Sequence, residues 1–264
     1  MYPVLFELGP VTIYAYGFFI ALGAIAGFSY MAWQGKIQFG TSLDKSNSLF
    51  LLMVGGGVVG GKLFIIFENP AYYLHHPALL FSGSGFVFYG SLITCIPLML
   101  WFFRKNKIPL WPMLDIMAIT TCILHGLGRI GCFMAGCCYG IPTDSIFGVI
   151  FTDPLCQAEP LHTALHPTQL YESSLIFIIL TGLILLKRKR QFDGQLFLVY
   201  IMAYGAGRAW LEIYRGDLSR GFVIEEMLSN SQFISILMVG IALYFYVKRR
   251  NANLLSTKHN IHGK

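Results

Sequence analysis

The chain is 264 residues long, has a formal net charge of +6, and is 55% apolar but only 12% charged. A soluble domain of this size carries about twice that charged fraction, and the mean hydropathy of +0.61 is more than one aqueous core requires. A water-soluble enzyme is excluded, and an all-α polytopic membrane protein with little material outside the bilayer is expected.

A transmembrane helix needs about 20 residues to cross roughly 30 Å of hydrocarbon. Seven stretches meet or approach that length: residues 11–33, 48–67, 86–103, 110–131, 171–186, 194–214 and 231–247. The fifth is short and is expected to recruit residues before Leu170. Ahead of the first, MYPVLFELGP has no Lys or Arg and contains Glu7. That is the wrong flank for a cleavable signal peptide, so the first span is expected to stay in the mature protein.

Lys36 and Lys45 follow the first span, and Arg104, Lys105 and Lys107 the third. Lys187, Arg188, Lys189 and Arg190 follow the fifth, and Lys248, Arg249, Arg250, Lys258 and Lys264 the last. Loops 68–85 and 132–170 have neither Lys nor Arg, and only Arg215 and Arg220 break the alternation. Basic residues are retained on the cytoplasmic side, so about seven transmembrane helices are expected, with the N-terminus outside and the C-terminus cytoplasmic. Residues 1–250 read as a single integral-membrane domain that includes an outer loop at 132–170, and 251–264 as a cytoplasmic basic tail. Anionic lipid accounts for the basic charge. No basic soluble module is present to bind nucleic acid.

An ionisable group inside a span costs about 2.5–3.5 kcal/mol on insertion scales and marks a site by default. Lys62, Asp115, His125, Arg129, Glu172, Arg208 and Glu212 are such groups, with Arg215 near an edge. In YGAGRAWLEIYRGD, Arg208, Glu212 and Arg215 follow i, i+4, i+7 spacing and are expected on one helix face. Glu212 can pair with either arginine and leave the other for an anion; alternatively the trio is a buried ion pair that orients helices. In HGLGRIGCFMAGCCYG, residues 125–140, His125, Arg129 and Cys132 repeat that spacing. Asp115 lies about 21 Å from Arg129 along the axis and reads as a cap or structural hydrogen-bond partner near the cytoplasmic end.

Arg129 and Arg208 reach similar depth on oppositely directed helices. Two guanidiniums at headgroup depth suit a phosphate, because Arg offers planar bidentate donors that stay charged in a poorly hydrated pocket. With no nucleotide-binding loop and no soluble domain, that phosphate is expected on a lipid.

Cys95 and Cys122 fall inside spans, whereas Cys132, Cys137, Cys138 and Cys156 fall at or beyond the outer end of the fourth, where pairing is chemically open. Adjacent Cys137 and Cys138 suit a mutual disulfide poorly. C-x4-C-C also matches zinc-ligand spacing poorly, so no metal or cofactor is expected. Gly56/Gly60, Gly57/Gly61 and Gly23/Gly27 have GxxxG spacing suited to close helix packing. Lys62 either holds lipid phosphate or snorkels to an interface.

GPVTIYAYG, the GGK of the second span, FYGSLI, GRIGCFMAGCCYG, HPTQLYES and YGAGRAWLEIYRGD occur in that order. Together they resemble the prolipoprotein diacylglyceryl transferase family over nearly the whole chain, HPTQLYE and the GRxGxFxxG core being the specific parts. The resemblance implies transfer of diacylglyceryl from phosphatidylglycerol to the lipobox cysteine thiol of a prolipoprotein, in a bacterial cytoplasmic membrane. A thioether forms and glycerol phosphate leaves. The nucleophile then belongs to the substrate, and the enzyme binds phosphate, stabilises the departing anion and helps deprotonate the thiol. By motif position, Arg129 matches the family's lipid-phosphate arginine and Arg208 its other essential arginine. Tyr16 matches the tyrosine of the first YG motif, and Glu212 the acidic partner one turn after Arg208. Arg215 and Lys62 join the two arginines as substrate-binding candidates.

The chain departs from the family where it reads Tyr89-Gly90-Ser91-Leu92-Ile93 in place of HGGLIG, and where Cys132 and Ala135 replace the asparagines of GNFxNG. A tyrosine of pKa about 10 is a poor base at neutral pH. His125 is the candidate to take the proton of an incoming thiol of pKa about 8.5, with Tyr89 kept as a hydrogen-bond donor. The alternative is that His125 only bonds a backbone carbonyl or Tyr89. His166, with Pro167 and Glu172, reads as a helix start that orders the outer loop, and loop 132–170 as a gate for the precursor peptide. Two other classes stay open: a non-catalytic anionic-lipid-binding or transport homologue, and a membrane thiol enzyme using Cys137 or Cys138 as its own nucleophile.

Overall fold

A computed structural model describes residues 2–9, 11–68, 70–76, 78–79, 87–215, 222–224 and 228–262. Arg220 and Lys264 lie outside them. An antiparallel hairpin, β1 (Val4–Leu8) and β2 (Val11–Tyr14), leads into α1 (Ala15–Phe39). Then come α2 (Leu43–Glu68), the short α3 (Pro70–His75), α4 (Phe88–Asn106) and α5 (Leu110–Ala135). The segment after α5 holds an antiparallel pair, β3 (Val149–Ile150) and β4 (Ala164–Leu165). It is followed by α6 (Thr168–Lys187), α7 (Gln195–Leu211), a 3-10 turn (Glu212–Tyr214), the pair β5 (Phe222–Ile224) and β6 (Leu228–Ser229), and α8 (Asn230–His262).

Each of the seven apolar stretches holds a helix, so the chain is an all-α polytopic membrane protein. Among the described residues, α1, α2, α5, α6, α8 and the α7 segment through Tyr214 are long and apolar enough to cross a membrane. In α4 the apolar run stops at Phe103, because Arg104 and Lys105 occupy the last turn. The helix of the fifth stretch, α6, does recruit residues before Leu170, beginning at Thr168. The last continues without a break from Asn230 through the basic tail to His262.

Two compact units make up the fold: Met1–Tyr30 with Leu114–Lys264, and Met31–Met113. In the first, α1 runs antiparallel to α5 at very close range. A Cβ added at Gly23 would lie 3.2 Å from the Leu124 backbone, at Gly27 3.3 Å from the Thr120 carbonyl, and at Gly131 3.2 Å from the Tyr16 carbonyl. Small residues at these crossings let backbones approach where no hydrophobic effect drives association.

Ala118, Ile119 and Cys122 of α5, Ile176, Ile179 and Leu183 of α6, and Leu196 and Tyr200 of α7 form the core of this unit. At its edge Asp115, 1% exposed, accepts the backbone N–H groups of Gly194 at 2.8 Å and Phe197 at 2.9 Å, and Arg190 Nη1 at 3.2 Å. It therefore caps the first turn of α7 from another helix, supplying an acceptor for orphan donors. This is the structural hydrogen-bond role its position suggested.

In the second unit, α2 and α4 pack through Gly56, Gly57 and Gly60. Ser91 Oγ donates to the Gly57 carbonyl at 2.7 Å and Cys95 Sγ to the Met53 carbonyl at 3.3 Å. The GxxxG spacing thus serves close packing, as expected.

Candidate active site

The site is built where α5 ends. His125 and Arg129 stand one turn apart on α5 and both reach Glu172 of α6, a carboxylate that is 1% exposed. His125 Nε2 lies 3.2 Å from Glu172 Oε1, and Tyr204 of α7 donates its hydroxyl to the same oxygen at 2.9 Å. Arg129 Nη2 lies 3.1 Å from Oε2, with Arg215 Nη1 at 3.8 Å. An ionised carboxylate only accepts hydrogen bonds, so His125 directs an Nε2–H at Glu172. The Tyr204 ring meets His125 edge-on, with centroids 5.3 Å apart.

Arg208 sits on the next helix and pairs with Glu212, whose other oxygen lies 3.2 Å from Ser229 Oγ. Arg208 and Glu212 therefore meet as their spacing predicts. Arg215 does not share their face. α7 gives way to a 3-10 turn at Glu212, and a 3-10 residue advances about 120° against about 100° in an α-helix. Arg215 itself is extended, with φ −95° and ψ 130°. It turns to Glu172, so the expected choice of Glu212 between two arginines does not arise.

Arg129 and Arg215 thus share the single carboxylate of Glu172, while Arg208 is matched by Glu212. Arg129 Nε is buried without a hydrogen-bond partner among the described residues, an uncommon state for a buried donor and one that an anionic oxygen would relieve.

HPTQLYE organises the surroundings. Thr168 Oγ1 donates to the Cys138 carbonyl at 2.8 Å, and Gln169 Nε2 to the Cys137 carbonyl at 2.7 Å. Ser173 Oγ ties α6 to the Gly126 carbonyl of α5 at 3.0 Å. His166 bonds through its backbone to Gly140 and Ile141, while Ile141 N–H reaches the Tyr214 carbonyl at 3.0 Å. The His166 ring lies 3.2 Å from the Tyr171 hydroxyl and edge-on to Tyr214. His166 orders this segment, as expected. Glu172 does not merely start a helix; it collects His125, Arg129, Arg215 and Tyr204.

Tyr16 lies at the start of α1, its backbone against Gly131 and its phenol within electrostatic reach of Arg129, Cys132, Cys137 and Cys138. Among the three thiols, Cys138 is held below the ordinary thiol range by hydrogen bonds with Cys132 and Cys137, helped by the charges of Arg129 and Arg215. Tyr89, in the first turn of α4, and Lys62 of α2 belong to the second unit. Tyr89 is 53% exposed there.

Tyr204 is not among the residues the sequence singles out, and Glu172, named there among the intramembrane charges, was given only a helix-start role. Glu172 joins Thr168, Gln169 and Ser173 in a buried polar stripe at i, i+1, i+4, i+5 on an apolar helix, and Tyr204 precedes Arg208 by one turn. Both patterns were present as signals.

The profile of the prolipoprotein diacylglyceryl transferases matches residues 3–248. The chain belongs to the prolipoprotein diacylglyceryl transferase family. A phosphatidylglycerol–prolipoprotein diacylglyceryl transferase of Clostridium tetani is 38% identical over 247 residues, covering 93% of this chain and 97% of its own. A second, from Clostridium perfringens, is 37% identical over 247 residues, with 91% and 93% covered. The one from Dehalococcoides mccartyi is 30% identical over 250 residues, with 94% and 93% covered. In this transferase-family chain, the conjunction of Arg129, Arg215, Glu172 and His125 lies within the first compact unit.

Proposed function

We infer that this chain transfers the diacylglyceryl group from phosphatidylglycerol to the lipobox cysteine thiol of a prolipoprotein, releasing glycerol phosphate, in a bacterial cytoplasmic membrane. Family membership at 38% identity over nearly the full length supports this reading, and the observation that carries it structurally is that two arginines, Arg129 and Arg215, share the one buried carboxylate of Glu172. A lone excess charge inside an apolar bundle is costly, and a lipid phosphodiester is the anion that reaches it.

Arg129 and Arg215 bind the phosphate, and Arg208, held by Glu212, adds charge to the same end of the bundle. Their donors stabilise the glycerol phosphate as the C–O bond breaks. Lys62 is the second unit's candidate for phosphate contact, and Tyr16 and Tyr89 are candidate hydrogen-bond donors to the reacting groups. The acceptor sulfur attacks the glyceryl carbon, a C–S bond forms, and the thiol proton goes to a base. His125 Nδ1 is that base: Glu172 fixes the proton on Nε2 and stabilises the imidazolium, the role a carboxylate plays behind histidine in hydrolytic triads. Residues 1–250 act as one transferase domain.

Purified protein in detergent, given phosphatidylglycerol and a lipobox peptide, is expected to release glycerol phosphate and to raise the peptide mass by one diacylglyceryl group. Arg129→Ala is expected to lose both products. A folded wild type that binds phosphatidylglycerol yet makes neither product would leave a non-catalytic lipid binder.

A further inference from the structure

Cys132, Cys137 and Cys138 have sulfur atoms that all lie within 4.8 Å of one another. Their convergence follows from the way α5 ends. Gly136 adopts φ 73°, its N–H bonds the Phe133 carbonyl at 3.2 Å, and the Cys137 N–H bonds the Cys132 carbonyl at 3.1 Å. This is a Schellman cap, which stacks the residue after the left-handed glycine onto the third residue from the helix end. The cap therefore brings together two cysteines whose C-x4-C spacing alone gives no ligand pair.

Cys138 is then left-handed as well, with φ 61°. A non-glycine residue pays for that conformation, and such strain collects at functional sites. It turns the third sulfur back onto the other two. Thr168 and Gln169 hold the carbonyls of Cys138 and Cys137, so the strained loop is fastened to α6.

We propose that Cys132, Cys137 and Cys138 form a three-thiolate site for one zinc ion whose fourth position is open to the acceptor thiol. Zinc–sulfur bonds of about 2.3 Å place the sulfurs of one site about 3.8 Å apart, so the trio needs only a small contraction. Among the described residues no His, Asp, Glu or further Cys joins the cluster. Three protein ligands and an open fourth position are the arrangement of zinc sites that do chemistry. Arg129 stands one turn before Cys132, and Arg129 and Arg215 lie within electrostatic reach of Cys138.

The inference rests on the transferase reading for its chemistry. The acceptor S–H loses its proton on binding zinc, since a metal-bound thiol is deprotonated outright. The proton passes to the base, the bound thiolate attacks the glyceryl carbon, the C–S bond forms, and the C–O electron pair leaves on glycerol phosphate. Zinc is neither oxidised nor reduced.

The test uses the full chain in detergent, with metal analysis and peptide-mapped alkylation by iodoacetamide before and after a chelator or a reductant. One zinc per chain, protection of the three cysteines that only the chelator lifts, and transfer activity lost on chelation and restored by zinc are expected. Cys137→Ser should lose the zinc, and Cys95→Ser should keep it. Immediate alkylation with no metal, protection lifted by reductant alone because two of the cysteines form a disulfide, or full activity in zinc-free protein would overturn it. The metal and alkylation readouts need no turnover, so a failure of the transferase reading would be seen separately.

Discussion

Glu172 holds two arginines, a histidine and a tyrosine with one carboxylate, and this concentrates the consequences of a single substitution. Glu172→Gln keeps the volume but removes the charge that Arg129 and Arg215 share. Removing one partner of a buried ion pair costs about 3–5 kcal/mol. The variant should melt well below wild type and lose transfer at least about 100-fold, read by thermal unfolding in detergent and by glycerol phosphate release. His125→Ala should abolish transfer while Tyr89→Phe retains it; an active His125→Ala enzyme would remove the imidazole from the mechanism. In chelator-treated protein at neutral pH, Cys138 should alkylate before Cys137. Its pKa lies below the ordinary thiol value, so more of it is thiolate, the reactive form. His125, Arg129, Arg208 and Glu212 were legible because charge inside a membrane is expensive and needs a reason. Glu172 was legible as a charge but not as the group that collects the others, since its partners lie on α5, on α7 and beyond it, and helix rotation and depth decide whether they meet.

Helix ends do much of the work in this protein. Asp115 on α5 caps α7 across the bundle through two backbone donors, and a lost cap costs about 1 kcal/mol. Asp115→Ala should lower the melting temperature while phosphatidylglycerol binding stays within about twofold of wild type, because the residue lies about 21 Å from Arg129 along α5. The opposite end of α5 behaves differently. Its glycine cap folds the cysteines back on the helix, and the 3-10 turn after α7 sends Arg215 away from Arg208. Both ends follow from local hydrogen bonding that an i, i+4 count does not represent. Gly131→Leu would place a large side chain where a Cβ already lies 3.2 Å from the Tyr16 carbonyl. Loss of the α1–α5 packing, read as a lower melting temperature and lost transfer, is the expected result.

At the scale of the whole chain, the basic residues predict which loops face which side of the membrane. A cysteine at Asp144 should react with a membrane-impermeant maleimide in intact cells, and one at Lys189 should react only after permeabilisation; the reverse would invert the orientation. Composition and spacing alone determined the class of the fold, the positions of the long helices, the glycine faces and the arginines that await an anion. Those features follow from the cost of placing polar groups in hydrocarbon, which acts on each segment independently. Only the tertiary structure decided that Glu172 joins Arg129, Arg215 and His125, which ring nitrogen His125 turns to that carboxylate, and that three cysteines share one point in space. Those depend on the approach of separate helices and on two backbone reversals, and no period along the chain records either.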